Sequence, residues 1–192
     1  MTEARAGLPI LAFADAGALE RWLEAQPAGS PGLWIKLAKA GSGLAGVSKR
    51  EAIDAALCHG WIDGQLDRYD ETHWLIRFTP RKPRSKWSQV NRARAAELVA
   101  AGRMRAGGLA QIEAAKADGR WDAAYDSQRN ATVPDDLQAE LDRSPAARDF
   151  FASLDGANRY AILFRIQTSK PEARAARIAT LVAMLERGEK IH

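Results

Sequence analysis

The sequence predicts an α+β protein, a small N-terminal sheet with helices followed by a helical C-terminal lobe. Short apolar or alternating runs, the pattern of strands, fall before residue 80. Beyond Pro80 the apolar residues recur at the three-and-four spacing of helices, punctuated by start and stop residues. With 192 residues, 46% apolar and 27% charged, the chain can bury a core, which excludes a disordered tract and sets a size of one ordinary domain or two small lobes. The expected division is an α+β lobe over 1–80 and a helical lobe over 81–192, or one compact domain containing both.

Leu8 to Phe13 is an apolar run suited to a buried strand. Asp15 can cap a helix in which Leu19, Trp22 and Leu23 share a face, and Pro27, Gly29, Pro31 and Gly32 turn the chain after it. Leu33 to Leu37 reads as a second strand. Ser48 and Glu51 have the spacing of a capping box, followed by Ile53, Ala56 and Leu57 on one helical face and by Gly60 as the stop. Trp61–Arg68 and His73–Phe78 form a hairpin whose register the sequence leaves open, Trp74, Ile76 and Phe78 alternating with His73, Leu75 and Arg77.

Helices are then expected over Ser88–Ala101, with Trp87, Val90 and Leu98 on one face, and over Gly108–Ala117, with Leu109 and Ile112 inward. Pro134-Asp135-Asp136 opens a third and Ser144-Pro145 a fourth, which presents Phe150, Phe151 and Leu154. A fifth covers Asn158–Ile166. The last begins at a Ser169/Glu172 capping box, lines up Ile178, Leu181, Val182 and Leu185, and ends at Gly188.

No apolar run reaches the roughly 18 residues of a membrane helix. Met1–Ile10 lacks a signal-peptide core, so the expected compartment is the cytoplasm. Cys58, the single cysteine, excludes an internal disulfide and a multi-cysteine zinc site, and no cofactor is expected. Next to His59 it could act as a nucleophile, but adjacent helical residues point about 100° apart, and a small buried thiol is the simpler reading.

The net charge of +4 is unevenly placed. Arg77, Arg81, Lys82, Arg84, Lys86, Arg92, Arg94, Arg103 and Arg105 face a single acid, Glu97, over residues 77–105, so this stretch carries 9 − 1 = +8 and the remainder 4 − 8 = −4. Such polarisation favours anionic partners, although a solvated basic face is the commoner reason for it. Within it, Arg81-Lys82-Pro83-Arg84-Ser85-Lys86-Trp87-Ser88 places four cations and two hydroxyls at a strand-to-helix junction. Helix N-termini and arginine forks both hold anions. Trp87 either stacks on a base or packs inward, and its helical face favours burial.

Gly41-Ser42-Gly43-Leu44-Ala45-Gly46 spells a dinucleotide fingerprint, but Ala38-Lys39-Ala40 separate it from the strand and the helix starts only behind Ser48, so it reads as a loop. Asp63, Gln65 and Asp67 share a strand face, and with His59 and His73 nearby they outline a polar pocket of Asp63, Asp67 and His73. No metal-ligand spacing accompanies it, and a solvated hairpin face is the simpler reading.

His59-Gly60-Trp61-Ile62-Asp63-Gly64, Arg77-Phe78-Thr79-Pro80-Arg81-Lys82-Pro83 and Ser85-Lys86-Trp87-Ser88 resemble the YdeI/OmpD-associated (OmdA-like, bacteriocin-protection) family. So do Asn91, Gly102-Arg103-Met104, Gly108-Leu109, Gly119-Arg120-Trp121, Lys170-Pro171-Glu172-Ala173-Arg174 and Arg177-Ile178, a span from about Leu33 to Gly188. The resemblance implies a bacterial protein of stress or resistance type with a link to the cell envelope; it carries no agreed catalytic set. The expected function is therefore non-enzymatic binding of an anionic partner through Arg77, Arg81, Lys82, Arg84, Lys86, Trp87, Ser88 and Asn91. Nucleic acid, a phosphorylated metabolite or an acidic protein face would each satisfy it. The alternative is an enzyme with a pocket between the lobes acting on an anionic small molecule.

Overall fold

The computed structural model describes residues 3–27 and 29–192 and is α+β. Strands β1 (Ala4–Arg5) and β2 (Leu8–Leu11) precede helix α1 (Ala16–Glu24), then come β3 (Leu33–Ala38), α2 (Lys49–Cys58), β4 (Trp61–Arg68) and β5 (His73–Pro80). The rest is helical: α3 (Gln89–Ala100), α4 (Ala106–Ala117), α5 (Asp135–Arg143), α6 (Pro145–Ser153), α7 (Gly156–Gln167) and α8 (Pro171–Glu186). The chain divides into two compact units. The first holds the described residues up to Lys86 with Asn91–Asp122, so the sheet-bearing unit includes α4 and most of α3; the second holds Trp87–Val90 and Ala123–His192.

In the first unit the strands lie in the order β1-β2-β3-β5-β4, with β2 and β3 parallel and the other pairs antiparallel. Helix α1 crosses from β2 to β3, its first turn capped by Asp15, whose carboxylate accepts from the Ala18 amide at 2.7 Å. The Ser48–Glu51 capping box forms in both directions, and His59 ends α2 with Gly60 beyond it at φ +78°. One sheet face is closed by Leu19 and Leu23 of α1 and Ala52, Ala55 and Ala56 of α2, packed on Leu33, Ile35, Leu37, Trp61, Ile76 and Phe78. Leu8, Ile10, Trp34 and Leu75 cluster separately. Leu75 and Ile76 are thus both buried, while Trp74 lies open near the β5 start under the Lys39 ammonium.

The hairpin register resolves to Trp61 opposite Pro80, Asp63 opposite Phe78, Leu66 opposite Ile76 and Arg68 opposite Trp74. Between Asp63 and Leu66 the strand carries one extra residue, a β-bulge. The bulge shifts the side-chain parity, so Asp63 and Asp67 stand on opposite faces, where simple alternation put them on one.

Helix α4 turns Gly108, Ile112 and Ala115 inward and leaves Leu109 exposed; in α3, Ala95 and Leu98 are buried and Val90 is exposed. In the second unit Leu137, Leu141, Phe151, Leu154, Ile162, Leu163, Ile166, Ile178, Leu181, Val182 and Leu185 build the core of α5–α8. Ser169 does not cap α8. Pro171 takes the first helical position, which makes Lys170 the N-cap, and the Ser169 hydroxyl instead donates to Arg165 O at 2.6 Å. Among the described residues no helix is long and apolar enough to cross a membrane.

Candidate functional site

The basic stretch is two different structures. Its first part continues β5: the Arg81 amide donates to Gly60 O at 3.0 Å, and the chain then reverses over Lys82-Pro83-Arg84-Ser85. The Ser85 amide donates to Lys82 O and the Lys82 amide to Ser85 Oγ, each at 2.9 Å, while Pro83 pre-sets the dihedral its turn position needs. Arg81 is buried, 6% exposed, and its Nη1 donates to Lys86 O at 3.2 Å. Arg120, oriented by Asp118, donates from Nη1 to Ser85 O at 2.8 Å. Two guanidinium groups therefore brace the turn from below, and Lys82, Pro83 and Arg84 stand exposed at its tip.

Arg77 is exposed on β5, on the sheet face opposite to Phe78. Among the described residues no acidic side chain pairs with Arg77, Lys82 or Arg84. Partial desolvation holds the Lys86 ammonium below the usual lysine range.

Trp87 and Ser88 belong to the second unit. Trp87 is buried, as its apolar neighbours predicted, but it precedes the helix and is fixed by its backbone: the Tyr125 amide donates to Trp87 O at 3.0 Å, and Ser88 forms a parallel bridge with Tyr125. The first amide of α3, on Gln89, donates to Tyr125 O at 2.8 Å and is not offered to an anion. Asn91 donates to Asp63 Oδ1 at 3.5 Å.

The second part of the stretch is occupied by acids of its own unit. Arg94 grips the buried Asp54 bidentately, Nε to Oδ1 at 2.6 Å and Nη2 to Oδ2 at 2.5 Å, and also pairs with Glu97. Hydrogen bonding from Arg94 holds the Asp54 carboxyl below the usual range in spite of its burial. Arg103 reaches Glu20 at 3.6 Å and Asp54 at 3.7 Å, Arg105 reaches Glu20 at 3.7 Å, and Arg92 donates to Trp121 O at 3.1 Å.

The polar residues of the hairpin do not converge. Asp63 faces Asn91, Asp67 pairs with Arg5, and the His73 ring sits on Asp70 Oδ1 at 3.1 Å beside Thr72. The loop 41–46 leads to the capped start of α2 without entering a helix directly. Among the described residues no group of three or more His, Cys, Asp or Glu could hold a metal ion.

The sequence reading passed over a cavity of about 470 Å³ within the first unit. It is lined by His59, Gly60 and Trp61 at the α2–β4 junction, Pro80 and Arg81 at the end of β5, Arg105, Ala106, Gly107 and Gln111 at the start of α4, Leu23 and Glu24 at the end of α1, and Gln26 and Pro27 after it. The His59 Nε2 atom is buried without a hydrogen-bond partner, and burial lowers the affinity of this imidazole for a proton. Cys58 beside it is buried, which pushes its thiol up, the opposite of an activated nucleophile. Arg120 and Asp54 were also invisible as contributors, because each acts across a long sequence separation.

Residues 11–111 match the family described as "Domain of unknown function (DUF8412)". Residues 130–188 match the family described as "Bacteriocin-protection, YdeI or OmpD-Associated", abbreviated OmdA. The hairpin, the basic turn and the cavity lie in the first span, and α5–α8 in the second. No curated protein and no solved structure matches the chain.

Proposed function

We propose that this chain, which belongs to the DUF8412 family over more than half its length and carries an OmdA segment beyond it, is a non-enzymatic binding protein of the stress or resistance type. It engages an anionic partner through the basic turn after β5. The observation that carries this reading is the contrast in pairing: the tip residues Lys82 and Arg84, with Arg77 nearby in sequence, have no acidic partner among the described residues, whereas Arg94, Arg103 and Arg105 do. A braced turn presents cations at little ordering cost, so a phosphate or carboxylate group meets them preorganised. Arg81 acts beneath the turn by holding its backbone.

The experiment replaces Arg77, Lys82 and Arg84 with alanine together and follows labelled DNA, RNA and phosphorylated small molecules by anisotropy and calorimetry. The reading expects loss of anion binding at an unchanged melting temperature. Binding equal to that of the unaltered chain contradicts it.

A further inference from the structure

The free cations around the basic turn do not converge. Arg77 stands on β5 five residues before Lys82, and the strand path continues between them through the Arg81 amide bond to Gly60 O. At roughly 3.3 Å per residue this separates their Cα atoms by about 16 Å. Lys82 and Arg84 stand on either side of Pro83 at the tip, and all three are exposed. The cavity beside His59 is lined by none of Arg77, Lys82 or Arg84. Asp118, below the turn, is taken up by Arg120 and leaves the tip cations uncompensated. A small phosphorylated ligand is held by groups that close on it within a cleft. Separated, outward cations match instead a partner that repeats its charge over the same distance. A nucleic-acid duplex does so, with one phosphate charge per about 1.7 Å of axis, or about ten along this span.

The aromatic residues narrow the form of that partner. Single strands are held in large part by bases stacked on exposed rings. Among the described residues Trp74 is the one exposed aromatic. It lies on the sheet face opposite to Arg77 and at the far end of β5 from the turn, with the Lys39 ammonium 4.7 Å from its ring centre. Trp87, two residues past the turn, is buried. Duplex RNA is recognised through its 2′-hydroxyls as well as its phosphates. Ser85, the one hydroxyl of the turn, is engaged by the Lys82 amide at 2.9 Å. The exposed side chains of Lys82 and Arg84 only donate, which suits phosphate oxygens.

We propose, resting on the anion-binding turn put forward above, that its tip and Arg77 together dock on the phosphate backbone of duplex DNA without reading its sequence. Lys82 and Arg84 contact one stretch of backbone, and Arg77 contacts phosphates about 16 Å along. Arg81 and Arg120 fix the turn and touch no phosphate.

The test compares anions of one chemistry and different length on the full chain. The probes are inorganic phosphate, a nucleoside triphosphate, and a strand of about 24 nucleotides alone or as a DNA or RNA duplex, in two unrelated sequences at about 50 mM salt. The DNA duplexes are expected to bind at about 100 μM or tighter, within about threefold of each other. Phosphate and the triphosphate should bind at least about tenfold more weakly, and the single strand and RNA duplex severalfold more weakly. Arg77→Ala should flatten the salt slope by about 0.9 and the Lys82→Ala/Arg84→Ala double variant by about 1.8, while Trp74→Ala leaves affinity unchanged. All four positions are exposed, and an unchanged melting temperature verifies that each variant folds. Any other probe binding as tightly as the DNA duplex, the two sequences differing more than about tenfold, or Arg77→Ala without effect overturns the proposal. If small-anion binding is then lost in the double variant, the anion-binding turn itself survives. Duplex binding that neither variant alters, or no binding of any probe, overturns both.

Discussion

Two halves of one basic stretch, residues 77–86 with five cations and 92–105 with four, play opposite physical roles. In the second, Arg94 is clamped on Asp54, and Arg103 and Arg105 lie against Glu20. In the first, Arg81 holds the Lys86 carbonyl, Arg120 holds that of Ser85, and the cations at the tip point to solvent without acids. A positive charge in sequence becomes a positive surface only where the fold supplies no counter-charge. The +8 of the linear stretch therefore overstates the field that a partner meets.

The comparison is broken most severely at Asp54. Asp54→Ala leaves Arg94 without its buried partner and should lower unfolding stability by about 3 kcal/mol, read by urea denaturation. A change below about 0.5 kcal/mol would mean that the second half is no better anchored than the first. The same pair sets a pH dependence. The Asp54 carboxyl titrates lower folded than unfolded, so its contribution is present above the unfolded value of about 3.9 and is lost as pH falls through the folded value. Asp54→Ala should therefore flatten the acid limb of the stability curve.

Arg120→Ala removes one brace of the turn. It should cost about 1 kcal/mol and weaken anion binding severalfold although Arg120 is not at the tip. Unchanged binding would show that the turn needs no bracing. Glu20→Gln releases Arg103 and Arg105 from a partly exposed acid and should change stability by no more than about 0.5 kcal/mol. Anion affinity should then rise less than twofold, because the added charge lies off the turn; a larger rise would make bulk charge, not the turn, the determinant. Replacing Arg77, Lys82 and Arg84 together should leave stability within about 0.5 kcal/mol.

The sequence made local structure legible where a side chain acts within one turn of its own position. Asp15, the Ser48–Glu51 box and Gly60 all do what their types predict. Ser169 failed because a rule one residue wide met a stronger one: Pro171 has no amide to give and fits the first helical position, so the helix starts there. Leu109 failed because α4 packs through Gly108, Ile112 and Ala115, and a residue one step from Gly108 is turned about 100° away. Asp63 and Asp67 were separated by a bulge that alternation does not reveal. The cavity was least legible of all, since it joins residues near positions 25, 60, 80 and 106.

The central claim is that the turn tip, not the total charge, carries anion binding, and the salt dependence of nucleic-acid binding tests it most directly. On duplex DNA each phosphate contact contributes about −0.9 to the slope of log K against log salt, so removing Arg77, Lys82 and Arg84 should flatten it by roughly 3. A control replacing Arg92, Arg103 and Arg105 should leave the slope nearly unchanged. Equal flattening by both triple variants, or none by the first, would contradict the account.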